Sequence, residues 1–134
     1  MVYLALDYGE KRVGLAGSDS GSIVTPLEIV DIEGNDFTPV IQKINSYHPK
    51  YLIVGLPIST NGEERNSAQK VRQFIEKIKG KVNHAIIKYT NEIYTTIEAQ
   101  ERAKQIKWEK GKPIDHFAAA VILEQFLNSS KTSN

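Results

Sequence analysis

Two short runs of the sequence are apolar at every position, and they limit the folds that this chain can adopt. Residues 2–6 read VYLAL and residues 51–56 read YLIVGL. A strand with one face in water alternates apolar and polar residues, so an unbroken apolar run of this length predicts a strand that is buried on both faces. We therefore expect a sheet that is covered by helices on both sides.

Other patterns along the chain predict the rest of the sheet and its connections. Residues 12–18 and 22–32 flank a Ser-Asp-Ser-Gly turn and predict an antiparallel hairpin. Pro26 lies in the second of these strands, and because proline cannot donate a backbone hydrogen bond, that strand is expected at an edge or a bulge. Residues 84–89 predict a fifth strand. Apolar residues at helical spacing predict four helices, which begin at Thr38, after Asn66, at Thr95 and at Pro113.

The order of these elements predicts the fold class. The order β-β-β-α-β-α-β-α-α, with an antiparallel hairpin first and crossover helices later, is typical of an α/β fold with a mixed five-stranded sheet and helices on both faces. A chain of 134 residues has room for one such core and not for two. We therefore expect a single domain over residues 1–128 and a disordered polar tail over residues 129–134.

The composition excludes several classes of function. The sequence contains no cysteine, which excludes disulfides, thiolate nucleophiles and cysteine-ligated metals. Its 17 Lys and Arg residues against 16 Asp and Glu residues give a net charge of +1, so any basic surface must be local. Neither a basic leader nor a long apolar segment is visible at the N-terminus, and we expect a soluble, cytoplasmic protein without a membrane partner.

Three acidic residues lie at the ends of predicted elements. Asp7 ends the first strand, Glu92 comes just past the fifth strand, and Asp115 lies in the first turn of the last helix. Ligands of open α/β sheets gather outside the carboxyl ends of the strands, and a buried carboxylate needs a cationic or metal partner. Together the three carboxylates could hold one or two Mg²⁺ or Mn²⁺ ions, which activate water for phosphodiester hydrolysis.

Each acid also has a purely structural explanation. Asp7 could cap the turn that follows it, Glu92 could be a solvated loop residue, and the helix dipole alone could account for Asp115. Side chains alternate between faces along an extended segment, so Asn91 and Glu92 cannot both face one site if the strand continues through them. The sequence leaves open which of the two does so.

Positive charges accompany these acids along the chain. The candidates for contact with phosphates are Lys11, Arg12, Arg65, Lys70 and Arg72. Trp108 lies among lysines and could stack on an unpaired base, and His116 adjoins Asp115. Lysines on helical faces are equally typical of a solvated surface, and Trp108 could instead pack against the last helix.

Four segments of the sequence resemble the motifs of one protein family. They are residues 7–16 (DYGEKRVGLA), 54–57 (VGLP), 95–99 (TTIEA) and 115–123 (DHFAAAVIL). The segments match in order along the whole chain. The sequence thus resembles the YqgF (RuvX) family, whose members have an RNase H-like fold and are described as Holliday-junction resolvases or pre-ribosomal-RNA nucleases.

The resemblance implies roles for the acids and also shows one departure. Asp7 and Asp115 match metal-binding catalytic acids of the family. In the third motif, members usually read Asp-Glu-Arg-Leu-Thr-Thr, whereas this chain begins with Asn91, Glu92 and Ile93. If the site uses Glu92, three acids can hold the metal. If the site uses the preceding position, Asn91 offers only a neutral carbonyl oxygen and the affinity for metal falls.

The resemblance therefore implies a Mg²⁺- or Mn²⁺-dependent nuclease for structured RNA or branched DNA, with Asp7, Glu92 and Asp115 as catalytic and metal-binding residues. Maturation of the 5′ end of pre-16S rRNA, in association with the ribosome precursor, is the preferred role. The alternative is a Holliday-junction resolvase, which is expected to act as a homodimer. A further alternative, motivated by Asn91 and Ile93, is a nucleic-acid-binding module with weak catalysis.

Overall fold

The computed structural model describes residues 1–59, 61–63, 66–92 and 95–132. In this part of the chain the sheet contains five strands, and four α-helices connect or cover it. The strands are β1 (Tyr3–Tyr8), β2 (Arg12–Ser18), β3 (Thr25–Asp31), β4 (Tyr51–Pro57) and β5 (Ile86–Glu92). The helices are α1 (Thr38–Ser46), α2 (Asn66–Ile78), α3 (Thr95–Gln105) and α4 (Asp115–Thr132), and a single 3₁₀ turn, Lys79–Lys81, follows α2.

The sheet is mixed, as the sequence predicts. Its strand order is β3-β2-β1-β4-β5, so β1 is the central strand. The first three strands pair antiparallel, whereas β1 with β4 and β4 with β5 pair parallel. The prediction for Pro26 is confirmed, because β3 lies at the edge and its pairing with β2 shifts register between Leu15 and Ala16, next to the proline.

Helices cover both faces of the sheet, which explains the unbroken apolar strands. Leu4 and Leu6 of β1 lie in the larger core cluster, which α1 and α2 complete. Ala5, between them, points to the opposite face and packs with Ile122 and Leu123 of α4. The third helix packs mainly on α4, where Ala99 contacts the cluster around Phe117. The predicted α/β class with helices on both faces is confirmed.

The boundaries of two strands differ from the prediction, and both differences affect the candidate site. The first strand runs through Asp7 to Tyr8, two residues beyond the apolar run. The fifth strand begins at Ile86 and runs to Glu92, whereas the sequence pattern ends at residue 89. Backbone pairing with neighbouring strands extends both elements through polar residues, which apolar periodicity cannot detect.

Smaller differences occur at the helix ends. The first helix has Phe37 as its N-cap, and the Asp36 carboxylate accepts the backbone N–H of Thr38. The last helix begins at Asp115 rather than at Pro113 and continues to Thr132, so the division into a domain over residues 1–128 and a disordered tail stays a prediction. Within the described ranges, no helix combines the length and apolarity that a membrane span needs.

Candidate active site

The central strand delivers Asp7 to the face of the sheet that α4 covers. Asp7 and Ala5 lie two residues apart in β1 and therefore share a face, and Ala5 packs against α4. Tyr8, the next residue, points the other way and stacks on Phe74 of α2 with ring centroids 4.5 Å apart. The carboxyl group of Asp7 thus lies at the C-terminal edge of a central strand, facing the start of the last helix.

Strand register decides between Asn91 and Glu92. Glu92 is paired with Pro57 of β4, and Lys88, on the same face of β5, is paired with Ile53, which packs against α4. Glu92 therefore shares the face of Asp7. Asn91 is paired with Leu56, which belongs to the core on the opposite face, and the amide is exposed there.

Two glycines make room for the acids. A Cβ atom at Gly55 of β4 would lie 2.7 Å from the Oε2 atom of Glu92 and 2.7 Å from Cδ1 of Ile122, so the carboxylate folds into space that only glycine leaves open. A Cβ atom at Gly14 of β2 would lie 2.0 Å from the backbone oxygen of Asp115. Gly14 is also the register partner of Asp7, so the first turn of α4 rests on the sheet directly beside that residue.

Electrostatics shows that the three acids share one neighbourhood. The pKa of Asp7 is raised well above its usual range, first by burial and then by the negative charges of Glu92 and Asp115. A nearby cation opposes such a rise, because it stabilises the charged form of the carboxyl group. The site therefore favours cations, and carboxylate oxygens are the ligands that Mg²⁺ and Mn²⁺ prefer.

Asp115 has a cationic partner within the chain. Arg12, the first residue of β2, donates its Nε–H to Oδ2 of Asp115 at 2.8 Å, although 103 residues separate the two in sequence. The pair raises the pKa of the Arg12 guanidinium. The two side chains are 40% and 25% exposed, respectively, so the pair lies at the rim of the site rather than in its interior.

The acids converge without forming a complete ligand shell. In the described ranges, no three histidine or acidic side chains are arranged so that they could hold one metal ion. The donor chemistry of the site fits a hard divalent cation, but the carboxylate of Asp115 faces Arg12. A shell of three acids therefore requires side chains to move, and Asp115 to leave Arg12.

The other predicted phosphate contacts lie in different surroundings. Lys11 is exposed, and Lys70 of α2 forms an ion pair with Glu10 beside a cleft that reaches Glu92. Arg72 lies over the ring of Tyr89, 5.0 Å from its centroid, on the opposite face of the sheet from Asp7. Arg65 lies outside the described residues.

Trp108 and His116 join a packed cluster at the start of α4. Their ring centroids are 5.2 Å apart, and His116 lies 4.2 Å from Phe117. Burial lowers the pKa of His116. This packing agrees with the expectation that Trp108 could hold the last helix, and it attaches α3 to the helix that carries Asp115.

Sequence reasoning missed Gly14, Gly55 and the pairing of Arg12 with Asp115. A signal for the glycines was present, because each interrupts an apolar strand next to a segment that carries a candidate acid. No sequence signal could have shown the ion pair, since its partners meet only through the packing of α4 on β2.

The mixed sheet and the helices on its two faces define an RNase H-like α/β fold. The Fowlpox virus resolvase, solved with substrate Holliday junction DNA, superposes with a TM-score of 0.60 at 15% identity, covering 97% of this chain and 99% of that chain. Thermus thermophilus RuvC, solved with a Holliday junction substrate, gives 0.55 at 13% identity and covers 98% and 97%. At these identities the likeness shows the fold alone.

Sequence comparison identifies the family. A model described as "RuvX: Holliday junction resolvase" matches residues 1–129. The "Putative pre-16S rRNA nuclease" of Fusobacterium nucleatum is 36% identical over 135 residues, covering 96% of this chain and 98% of the relative. The protein of the same name from Thermoanaerobacter pseudethanolicus is 38% identical over 138 residues, covering 98% and 99%. This chain belongs to the RuvX family of nucleases, which confirms the expected family, fold and enzyme class.

Proposed function

We propose that this protein uses Mg²⁺ or Mn²⁺ to hydrolyse phosphodiester bonds in structured RNA, and that it matures the 5′ end of pre-16S rRNA. The observation that carries the proposal is the position of Asp7, a half-buried residue at the end of the central strand whose carboxyl pKa is raised by burial and by the charges of Glu92 and Asp115. The names of the full-length relatives support RNA as the substrate class.

The proposal assigns the metal to the three acids. Asp7 and Glu92 supply oxygen atoms on one face of the sheet, and Asp115 joins them when its carboxylate leaves Arg12. A bound ion would activate water and neutralise the charge that develops on the phosphate. The partial burial of Asp7 strengthens electrostatic interactions at this point, because less water screens them than at the surface.

Arg12 has two roles in this proposal. In the free protein it compensates the charge of Asp115 through the contact of 2.8 Å. When the acid turns towards a metal ion, the partly exposed guanidinium becomes available for a substrate phosphate, which suits its planar set of donors. The Arg12 guanidinium therefore leaves Asp115 and contacts the substrate phosphate.

A second candidate function is resolution of Holliday junctions. The description of the matching family model favours it. A junction has two strands to cut, related by approximate two-fold symmetry, so this function requires a homodimer. Since the chain also keeps Glu92 on the face of Asp7, the proposal does not need the third alternative, a binding module with weak catalysis.

We also propose the surroundings in which the enzyme works. Its partners are structured nucleic acid and, for the RNA reaction, the ribosome precursor. The cytoplasm suits a chain that contains no cysteine, because it can dispense with disulfides in a reducing compartment.

The test compares the substitution of one acid with the substitution of a neutral residue that faces away from the acids. Asp7→Asn is expected to lower the cleavage rate at least about 100-fold in Mg²⁺ or Mn²⁺, since the loss of a metal ligand removes the charge that holds the ion. Asn91→Ala changes β5 on the face of the sheet opposite the acids, and this variant is expected to cleave as the wild type does. Both are assayed on a pre-16S rRNA 5′ fragment and on a four-way DNA junction.

The choice of substrates separates the two functions. Faster cleavage of the RNA fragment supports the maturation reaction, and faster cleavage of the junction supports the resolvase. Full activity of Asp7→Asn on either substrate would contradict the proposed site.

A further inference from the structure

Three surface depressions adjoin one another and lead away from the acids along α2. The first lies between the β1–β2 turn and the start of α2, has a volume of about 260 Å³, and extends from Glu92 to Lys70. The second shares Tyr8, Glu10 and Lys70 with the first and reaches Lys77. The third shares Asn35, Phe37 and Lys77 with the second and ends at Lys81. We call this continuous depression the α2 groove.

Three lysines line the α2 groove. Lys70 and Lys77 are seven residues apart in a helix, so they lie on one face, roughly 10 Å apart along the axis. Lys81 continues the row from the 3₁₀ turn that follows. Successive phosphates of a duplex strand advance about 3.4 Å along the helix axis, so the row has the length of several phosphates rather than one.

The other cations of α2 and of the turn that follows it face elsewhere. Arg72 lies over the Tyr89 ring of β5, and Lys79 forms an ion pair with Glu76 at 2.8 Å. The ion pair with Glu76 raises the pKa of Lys79. The helix thus separates its cations into a row in the groove and a group away from it.

Besides Glu92, two carboxylates lie in the α2 groove. Asp36 is held by the backbone and hydroxyl of Thr38, which lowers its pKa. Glu10 forms an ion pair with Lys70 across the junction of the first two depressions. The side chains of Lys70 and Glu10 are 60% and 65% exposed, so water screens their attraction, and the pair exchanges readily for another anion.

We infer that the α2 groove carries the phosphodiester backbone of the substrate away from the active site, with Lys70, Lys77 and Lys81 as its phosphate contacts. Glu10 forms an ion pair with Lys70 in the free protein, and a substrate phosphate displaces Glu10 from this lysine when it binds. The Ser67 hydroxyl, exposed at the rim of the first depression, can donate to that phosphate. The inference rests on the proposed function, because it takes the acids as the point of cleavage.

The experiment measures binding without cleavage. Every variant is made in the Asp7→Asn protein and titrated in EDTA against a fluorescein-labelled RNA stem–loop with a single-stranded 5′ extension, at several salt concentrations. Lys70→Gln, Lys77→Gln and Lys81→Gln are each expected to weaken binding roughly five- to tenfold at about 0.1 M salt and to reduce the slope of log K against log salt by about 1. Lys79→Gln is the matched control and should leave the slope unchanged.

Glu10 supplies a test with the opposite sign. Glu10→Gln is expected to strengthen binding, whereas Glu76→Gln, which removes the same charge from the other ion pair, should change it less. In the Lys70→Gln background, Glu10→Gln should have no effect beyond that of Glu76→Gln, because no lysine remains to be released. Lys70→Arg keeps the charge and should bind nearly as the parent does, which excludes misfolding as the cause of a loss.

The outcomes separate this inference from the proposed function. If Lys79→Gln weakens binding as much as the three groove variants do, net charge explains the effect and the α2 groove is not the path of the substrate, although the nuclease proposal stands. If the parent binds neither the RNA nor a four-way DNA junction, the proposed function itself is contradicted.

Discussion

At the scale of single residues, Asp7 carries the main electrostatic cost of the site. Its side chain is half-buried and lies near two further acids, and both effects raise the pKa of its carboxyl group. The unfolded chain ionises this group near its ordinary pKa of about 3.9, whereas the folded chain resists ionisation to higher pH. The contribution of Asp7 to folding stability is therefore largest below its unfolded pKa and is lost as the pH rises towards its folded pKa.

We therefore expect Asp7→Asn to be more stable than the wild type at neutral pH without divalent ions. If removing the cost of the Asp7 charge stabilises the folded protein by about 1 kcal/mol, the melting temperature rises by roughly 3–5 °C. The difference should disappear below about pH 4, where Asp7 is neutral in both states. Thermal unfolding followed by circular dichroism from pH 3 to pH 8 measures it, and a gap that stays constant with pH would refute the role of charge.

Arg12 leads to a second expectation at this scale. Because its guanidinium holds the Oδ2 atom of Asp115, it competes with any metal ion for that carboxylate. Arg12→Met should therefore bind Mn²⁺ more tightly in the absence of nucleic acid, by about tenfold or 1.4 kcal/mol, and yet cleave more slowly. Isothermal titration calorimetry measures the affinity.

A matched ion pair provides the control for Arg12. Arg102 of α3 pairs with Glu124 of α4 away from the acids, so Arg102→Met should leave the Mn²⁺ affinity unchanged. If Arg12→Met binds Mn²⁺ as the wild type does, Arg12 does not compete with the ion for Asp115.

At the scale of elements, the site depends on how closely α4 packs on β2 and how closely the Glu92 side chain packs on β4. At Gly14 an added methyl group would meet the backbone of Asp115, which cannot move without shifting the start of α4. At Gly55 it would meet the ends of two side chains, Glu92 and Ile122, which can turn away. The same substitution should therefore have different consequences at the two positions.

We expect Gly14→Ala to destabilise the protein by about 3 kcal/mol or more and Gly55→Ala by about 1–2 kcal/mol, with loss of cleavage in both. Gly80→Ala is the control, because nothing lies within 4 Å of an added Cβ atom there. Urea unfolding measures the three free energies. Equal stability of Gly14→Ala and Gly80→Ala would contradict the close contact between α4 and β2.

Apolar runs predicted the strands of the core well and their polar ends badly. The runs at residues 2–6 and 51–56 are apolar because each strand is buried on both faces, so the pattern was sufficient to place them. Asn91 and Glu92 are polar, and only pairing with Leu56 and Pro57 keeps them in β5. The choice between these two residues for the site therefore required the register, which the sequence does not contain.

At the scale of the whole molecule, the parallel part of the sheet explains why the acids meet. Parallel strands β1 and β5 end at the same edge, on either side of β4, and α4 returns over that edge to add Asp115. The order of elements was predictable from the sequence, and it implied this meeting of Asp7 and Glu92. The ion pair that turns Asp115 towards Arg12 was not predictable from the sequence, because its partners lie near the two ends of the chain.

A single crystallographic measurement tests the central claim, that these three acids hold a divalent ion. Crystals of the wild-type protein grown with Mn²⁺ are measured at a wavelength where manganese scatters anomalously. The account predicts an anomalous peak within about 2.0–2.4 Å of carboxylate oxygens of Asp7, Glu92 and Asp115, with Asp115 turned away from Arg12. A peak elsewhere on the protein, or none at a saturating Mn²⁺ concentration, would contradict it.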